Sequence, residues 1–288
     1  VIERTGNKGE VRSAVAEARR EGRRIGLVPT MGALHEGHMS LVRAACARTD
    51  FVVVSIFVNP TQFGPGEDFE RYPRDIEADI ELLAAENVEL VFSPTVDTMY
   101  ASDAQVSVNP GPLATRWEGE VRPGHFAGVA TVVTKLLSIV RPDLAFFGEK
   151  DYQQYCLVRR MAADLDLGAG IIGVPIMREP DGLALSSRNR YLSAAERQRA
   201  LALSESLEAA SAALAWGERD PRALEAAMRD AIGERAQIDY AAVVDAETLE
   251  PLADFGRAAR AIIAARVGST RLIDNCALVP PAEVGGGR

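Results

Sequence analysis

A chain of 288 residues, 47% apolar and 25% charged, has room for one large domain or two moderate ones and a globular composition. Its net charge of −9 argues against a broad nucleic-acid-binding surface, although a local basic pocket stays open. No apolar run reaches the length that spans a bilayer, and Cys46, Cys156 and Cys276, odd in number and far apart, fit a reducing cytoplasm.

Glu3, Arg4, Lys8, Glu10 and Arg12 interrupt the apolar core that a secretion signal needs, and a chain beginning at Val1 leaves its natural start open. Residues 11–21 read as a helix ahead of the first strand, the apolar run 25–28. Residues 39–48 read as the next helix. Between them stands Pro29-Thr30-Met31-Gly32-Ala33-Leu34-His35-Glu36-Gly37-His38, so two of the chain's three histidines fall where a strand hands over to a helix. Unpaired N–H groups and the positive dipole end at a helix start suit an anion, and Gly37 lets a ligand approach the backbone. Two imidazoles there can donate to a phosphate whose charge grows in a transition state. Taken alone, His-x-Gly-His equally describes two ordinary loop histidines. Zinc fits less well, because no Cys or further His lies nearby in sequence.

The β-branched run 51–58 has the pattern of a strand buried on both faces. It ends in a Pro- and Gly-rich loop over 59–66. Asn59 and Gln62 stand at that strand's carboxyl end, where open α/β sheets bind ligands; Asn59 equally suits the cap of a turn before Pro60. Arg71-Tyr72-Pro73-Arg74 precedes a helix over 76–86, with Arg74 read as surface charge and Glu77, Asp79 and Glu81 as a solvated face. Residues 88–92 read as a third strand and 106–108 as a further short one. Arg122-Pro123-Gly124-His125-Phe126 leads into a helix whose Val129, Val132, Val133, Leu136, Leu137 and Val140 form one apolar stripe, ended by Pro142. Strand 144–147 runs into Gly148-Glu149-Lys150-Asp151-Tyr152-Gln153-Gln154 and a helix with Leu157, Val158, Met161, Ala162 and Leu165 inward. Lys150 can reach a phosphate there, and Asp151 can accept from ribose hydroxyls or cap the helix.

Strand 171–174 closes the βα series, and after Pro175 the character changes to α+β. Ser186, Ser187 and Arg188 make a compact phosphate-binding candidate of two hydroxyls and one fork donor. Ser193-Ala194-Ala195-Glu196 is a capping box opening a long Ala- and Leu-rich helix, and Asp220-Pro221 opens a second. Residues 238–244 and 262–267 read as strands, and Gly285-Gly286-Gly287-Arg288 as a disordered tail.

Six motifs, in order between residues 25 and 192, together resemble the pantoate–β-alanine ligase family. They are the stretch from Pro29 to His38, Phe57-Val58-Asn59-Pro60-Thr61-Gln62-Phe63, Arg71-Tyr72-Pro73-Arg74, His125-Phe126-Ala127-Gly128-Val129, the stretch from Phe147 to Gln154, and Leu185-Ser186-Ser187-Arg188-Asn189-Arg190-Tyr191-Leu192. The resemblance implies an α/β fold: a Rossmann-like, doubly wound parallel sheet over residues 1–176 with a smaller α+β lid domain over 177–288, in a cytoplasmic homodimer without nucleic-acid or membrane partners. It implies that ATP, pantoate and β-alanine give pantothenate, AMP and pyrophosphate through a held pantoyl adenylate. By the family motifs, His35, His38, Lys150 and Arg188 are catalytic and lie on the ATP phosphates with Ser186 and Ser187. Gly148 and Asp151 hold ribose, and Pro29, Met31, Met177 and Leu185 complete the ATP site. Gln62 and Gln154 hold pantoate beside Met31, with Asn59, Tyr72, Arg122 and His125 around pantoate and β-alanine, and Asp79 is the metal-side candidate for Mg²⁺. Ala78 departs from a position that is often acidic in the family, and Leu185 from one that is often Met. Other nucleotidylyltransferases, class I aminoacyl-tRNA synthetases and a nucleotide-binding sensor remain alternatives. A P-loop is excluded by the lack of Gly-x-x-x-x-Gly-Lys-[Ser/Thr].

Overall fold

The computed structural model describes residues 2–280, so the reading of Gly285 to Arg288 as a tail lies outside the described residues. The chain forms two compact units. The first takes residues up to Met177 together with Leu185–Ser187; the second takes Arg178–Ala184 and the residues from Arg188 on.

The first unit runs β1 (Glu3–Thr5), α1 (Lys8–Arg20), β2 (Ile25–Thr30), α2 (Glu36–Cys46), β3 (Phe51–Ile56), α3 (Ile76–Ala84), β4 (Leu90–Phe92), α4 (Val96–Met99), α5 (Glu118–Val121), α6 (His125–Val140), β5 (Leu144–Gly148), α7 (Tyr152–Asp164) and β6 (Gly170–Val174). The strands form one parallel sheet in the order β1-β4-β3-β2-β5-β6. Alternate residues of the apolar strands enter opposite cores. Leu27, Val53 and Phe92 pack with Val11 of α1, Leu136 of α6 and Leu157 of α7. Val28, Val54 and Val91 pack with Met39 of α2 and Leu83 of α3. Both faces are covered, which is why these strands read as unbroken apolar runs. This is a doubly wound, Rossmann-like unit.

The strand order reverses between β2 and β5. Pairing of β2 with β3 continues to Thr30 and Ile56, and β5 with β6 to Gly148 and Val174. Pairing of β2 with β5 stops at Leu27 and Ala145. Pro29 has no N–H to give a ladder. The carboxyl ends of β2 and β5 therefore part, opening the crevice where ligands bind in such sheets.

Several local readings are corrected. β1 precedes the run at residue 25; its sequence, Glu-Arg-Thr, is too short and polar to show a strand pattern, and it forms an edge paired only to β4. Helix α2 begins at Glu36 rather than Met39, so His38 rides on its first turn. Residues 106–108 form no strand: Val106 is 91% exposed, and the Val108 N–H donates to Thr131 Oγ1 at 3.0 Å. Leu165 is 48% exposed because α7 ends at Asp164, one residue before the apolar period would carry it inward.

The second unit holds α8 (Ala194–Ala200), α9 (Ala202–Ala215), α10 (Pro221–Ile232) and an antiparallel sheet of β7 (Gln237–Asp245), β8 (Ala259–Val267) and β9 (Thr270–Leu278). The Ser193–Glu196 box is formed, with the Ser193 N–H donating to Glu196 Oε2 at 2.9 Å and the Glu196 N–H to Ser193 Oγ at 3.3 Å. Asp220 caps α10. The expected single long helix breaks at Leu201. Arg271, Asp274 and Asn275 interrupt the apolar pattern of β9, which hid it in the sequence. Among the described residues no helix is long and apolar enough to cross a membrane.

The hairpin-like segment Arg178–Ala184 is fastened within the second unit by a fork. Arg178 Nη1 and Nη2 donate to Asp274 Oδ2 and Oδ1 at 2.7 and 2.9 Å, and Asp274 is buried. Removing one partner strands a desolvated carboxylate. Arg178→Ala is expected to cost about 2–4 kcal/mol in urea unfolding, and a loss under about 1 kcal/mol would mean that water reaches Asp274.

Candidate active site

The turn leaving β2 is held from inside. Thr30 Oγ1 donates to the Ser55 carbonyl at 2.8 Å and accepts from the Gly32 N–H at 3.2 Å. Gly32 and Ala33 both have positive φ, at 80° and 51°. The N–H groups of Ala33 and Leu34 donate to the two carboxylate oxygens of Asp79, at 3.0 and 2.7 Å. A side chain on Gly32 would begin 2.8 Å from that carboxylate, so glycine is required by space as well as by φ. Asp79 is 3% exposed, which corrects the solvated-face reading for this residue; Glu77 and Glu81 are exposed. The charge is buried because it satisfies two loop donors. Among the described residues no three His, Cys, Asp or Glu side chains gather as a metal site.

The loop then fixes both imidazoles. His35 is the N-cap of α2, and its Nδ1 accepts from the Gly37 N–H at 3.1 Å. His38 Nδ1 accepts from the His35 N–H at 3.3 Å. A ring nitrogen that accepts carries no proton, so each neutral ring holds its proton on Nε2. The ring centroids are 4.1 Å apart. Burial lowers the His38 pKa to about 3; the neighbouring His35 also lowers it, Asp151 opposes, and Lys150 adds to the fall. His38 is therefore a neutral donor, and Lys150 and Asp151 stand within its electrostatic reach.

Lys150 and Asp151 belong to the short 3₁₀ turn Glu149–Asp151 that follows Gly148 at the end of β5. Asp151 occupies the N-cap position of α7 without a side-chain capping bond, so capping does not account for it. Pro29 lies at the end of β2, across the parting of the strands. Leu185–Ser187 returns to the first unit. Leu185 donates its N–H to the Met177 carbonyl at 2.9 Å, and a Cβ on Gly37 would lie 3.5 Å from the Leu185 side chain. Ser187 Oγ donates to the Ala33 carbonyl at 3.3 Å, with Ser186 beside it in the chain. Arg188 begins the next stretch of the second unit.

A second cluster surrounds Gln62. Asn59, 1% exposed, caps the 3₁₀ turn Pro60–Gln62 by accepting from the Thr61 N–H at 3.3 Å. It also donates through Nδ2 to Gln62 Oε1 at 3.0 Å, while Tyr100 donates to Asn59 Oδ1 at 2.8 Å. The capping reading of Asn59 therefore holds, and the same side chain also orients Gln62. With its oxygen held, Gln62 directs Nε2 toward Met31 Sδ, 3.2 Å away. Gly128 of α6 permits this packing: a Cβ there would overlap the Thr61 carbonyl and lie 2.7 Å from the Gln62 nitrogen.

His125 Nδ1 donates to the Gln62 carbonyl at 2.8 Å, so its Nε2 accepts from Arg122 Nη1 at 3.1 Å. Burial lowers the His125 pKa to about 4, and Arg122 adds to the fall. Tyr72 is buried with its ring edge on Phe63, and Arg74, exposed as expected, donates to the Tyr72 and Phe69 carbonyls at 3.0 and 2.8 Å. Gln154 lies on the first turn of α7, half-buried. Its neighbour Gln153 is engaged elsewhere, donating to the Leu113 and Arg116 carbonyls at 2.7 and 2.9 Å and accepting from the Glu118 N–H at 3.1 Å. Sequence reasoning missed Gln153's role, Tyr100, Gly128 and the latch at Asp79, all of which are set by contacts distant in the chain. Neutral N–H donors, a lysine and a helix N-terminus suit a polyphosphate, and an amide donor aimed past Met31 suits a small polar acceptor.

The sequence pattern of the pantoate-beta-alanine ligase family matches residues 4–277. A pantothenate synthetase of Rubrobacter xylanophilus is 56% identical over 279 residues, covering 93% of this chain and 96% of that protein. Among solved structures, a pantothenate synthetase of Thermus thermophilus matches with a TM-score of 0.92 at 46% identity, over 97% of this chain and 100% of that one. A pantoate-beta-alanine ligase of Francisella tularensis, complexed with beta-gamma ATP and beta-alanine, matches with a TM-score of 0.80 at 34% identity, over 96% and 98%.

The two depressed histidines predict an acid-labile fold. Their folded pKa values, about 3 for His38 and about 4 for His125, lie below the ordinary 6.5, so the unfolded chain binds more protons. The stability they contribute is complete above the ordinary value and is lost as pH falls toward the folded ones. Urea midpoints measured between about pH 7 and about pH 4 should fall, and less steeply in His125→Asn. An unchanged slope in that variant would mean that the ring is solvated.

Proposed function

The chain belongs to the pantoate–β-alanine ligase family, and from that premise we propose how its crevice condenses (R)-pantoate with β-alanine at the expense of ATP. A carboxylate is a poor acyl donor because its leaving group would be oxide. The reaction therefore runs in two steps. A pantoate carboxylate oxygen attacks the α-phosphorus of ATP, the new O–P bond forms, and pyrophosphate leaves with the electrons of the broken bond. The β-alanine amine then attacks the carbonyl carbon of the pantoyl adenylate. The C–O bond to AMP breaks and AMP departs with its electron pair, while the neutral amine gives up one proton to solvent and keeps the other as the amide N–H of pantothenate.

The observation that carries this reading is the pair of neutral Nε2–H donors, His35 and His38, at the start of α2, with Lys150 and Asp151 within reach of His38. The first step calls for positioning and charge stabilisation rather than a protein nucleophile. His35, His38 and Lys150 take the ATP phosphates, joined by Ser186, Ser187 and, next in the chain, Arg188. Gly148 and Asp151 take the ribose, and Pro29, Met31, Met177 and Leu185 complete the nucleotide site. Gln62 and Gln154 take pantoate, with Asn59 orienting Gln62 and Tyr72 lining the site. Arg122 and His125 serve this side by holding the Gln62 carbonyl.

Mg²⁺ enters as part of the ATP substrate, carried by phosphates and water. Both Asp79 oxygens already accept loop N–H groups, so the residues present do not build a metal cage, and no step is assigned to an Asp79-bound ion. We assign the second unit the lid role that a water-sensitive mixed anhydride requires, and the enzyme a homodimeric state in the cytoplasm.

Pyrophosphate release with ATP, Mg²⁺ and pantoate should show a burst of about one equivalent without β-alanine and steady turnover with it. Release without pantoate would instead indicate another nucleotidylyl transfer. His38→Ala and Lys150→Ala should each lower turnover about a hundredfold or more. Near-normal rates in the folded variants would overturn these roles.

A further inference from the structure

Gln62 sits in a 3₁₀ turn of three residues, Pro60–Gln62, too short to fix its own backbone. Its carbonyl receives two donors, His125 Nδ1 at 2.8 Å and Arg122 Nη2 at 3.3 Å. Both donors trace to one further side chain. Arg122 Nε and Nη2 donate to Glu67 Oε1 and Oε2 at 2.7 and 2.6 Å, a bidentate fork in which the side chains are 16% and 25% exposed. The fork fixes the plane of the guanidinium, and this turns Nη1 onto His125 Nε2 at 3.1 Å. That bond leaves His125 its proton on Nδ1, the atom that faces the Gln62 carbonyl.

At the other end of Gln62, Asn59 holds the amide oxygen, and among the described residues Nε2 meets the thioether of Met31, a weak acceptor. A substrate oxygen is a better one. The loop bearing Glu67 follows Gly64-Pro65-Gly66, and the Glu67 N–H donates to the Gly64 carbonyl at 3.1 Å, which turns its carboxylate back toward Arg122.

We propose that Glu67 is a positioning residue for the ligation: through Arg122 and His125 it fixes the Gln62 carbonyl, and thereby aims the Gln62 amide N–H at the hydroxy-acid substrate. The proposal rests on the assignment of pantoate to Gln62. Glu67 touches no reacting atom, so its loss affects the binding of one substrate. Without the carboxylate, Arg122 is free to turn, His125 loses the donor that sets its tautomer, and the Gln62 turn loses both external holds.

The test is Glu67→Gln, alone and in a Gln62→Ala background, with KM for each substrate and kcat measured beside the unmodified enzyme. The KM for pantoate should rise about tenfold in Glu67→Gln, with kcat and the KM for ATP within about twofold. In the Gln62→Ala background the same change should add less than about twofold, because the residue through which Glu67 acts is gone. Glu67→Asp, which keeps the charge but shortens the fork, should fall between the two; it also carries the test if Glu67→Gln does not fold. An unchanged pantoate KM overturns the proposal, as do effects that multiply across the two backgrounds or a parallel loss for all substrates. A lowered pantoate KM overturns it as well, since it would mean that Glu67 competes with the substrate carboxylate for Arg122. Failure of the unmodified enzyme to saturate with pantoate would instead reject the ligase reading on which the proposal rests.

Discussion

Two backbone N–H groups, those of Ala33 and Leu34, end on one buried carboxylate, and the geometry of the crevice follows from that. A loop with positive φ at consecutive residues points its N–H groups inward, where each must find an acceptor. Asp79 reaches them from the first turn of α3. The loop so held delivers His35 to the N-cap of α2, and the His35 N–H in turn holds His38. Hydrogen bonds to a charged acceptor contribute about 1.5–3 kcal/mol each, enough to keep the turn in one state. The order of dependence runs from the Asp79 carboxylate through the loop to the two imidazole rings.

The same economy of means recurs around Gln62. In both clusters a backbone group decides which nitrogen of an imidazole carries the proton, but with opposite results. The N–H groups of Gly37 and His35 occupy Nδ1 of His35 and His38 and leave each ring its proton on Nε2. The Gln62 carbonyl occupies Nδ1–H of His125 and leaves Nε2 as an acceptor for Arg122. The first arrangement yields donors for an anion; the second yields a brace. Burial keeps both kinds of ring neutral, so hydrogen bonding by His38 does not depend on a histidine charge that neutral pH would remove.

The first unit's sheet was largely legible in sequence because doubly covered strands are apolar at every position, as in Val52-Val53-Val54. Helix α6 and the caps at Ser193 and Asp220 were legible for equally local reasons. Legibility failed where tertiary context overrode pattern. β1 is polar because it is a short edge, and β9 is interrupted by the Asp274 that receives Arg178. Asp79 resembled its exposed neighbours on α3, and only the loop of residues 32–34, more than 40 positions away, marks it as buried. The placement of the histidine pair where a strand hands over to a helix was legible through its motif. Which of Gln153 and Gln154 is committed to the backbone was not, since both stand on one helical turn and only the segment 113–118 separates them.

The return of Leu185–Ser187 to the first unit, between two stretches of the second, bears on modularity. A break after Met177 would yield a first unit without the Leu185 side chain behind Gly37 or the Ser187 hydroxyl on the Ala33 carbonyl. Shuffling the second unit as a cassette would carry those three residues away from the unit they complete. The two units cannot be exchanged at a single junction between relatives without trading the segment that packs on Gly37 and Ala33 as well, so this architecture favours inheritance of the chain as one piece.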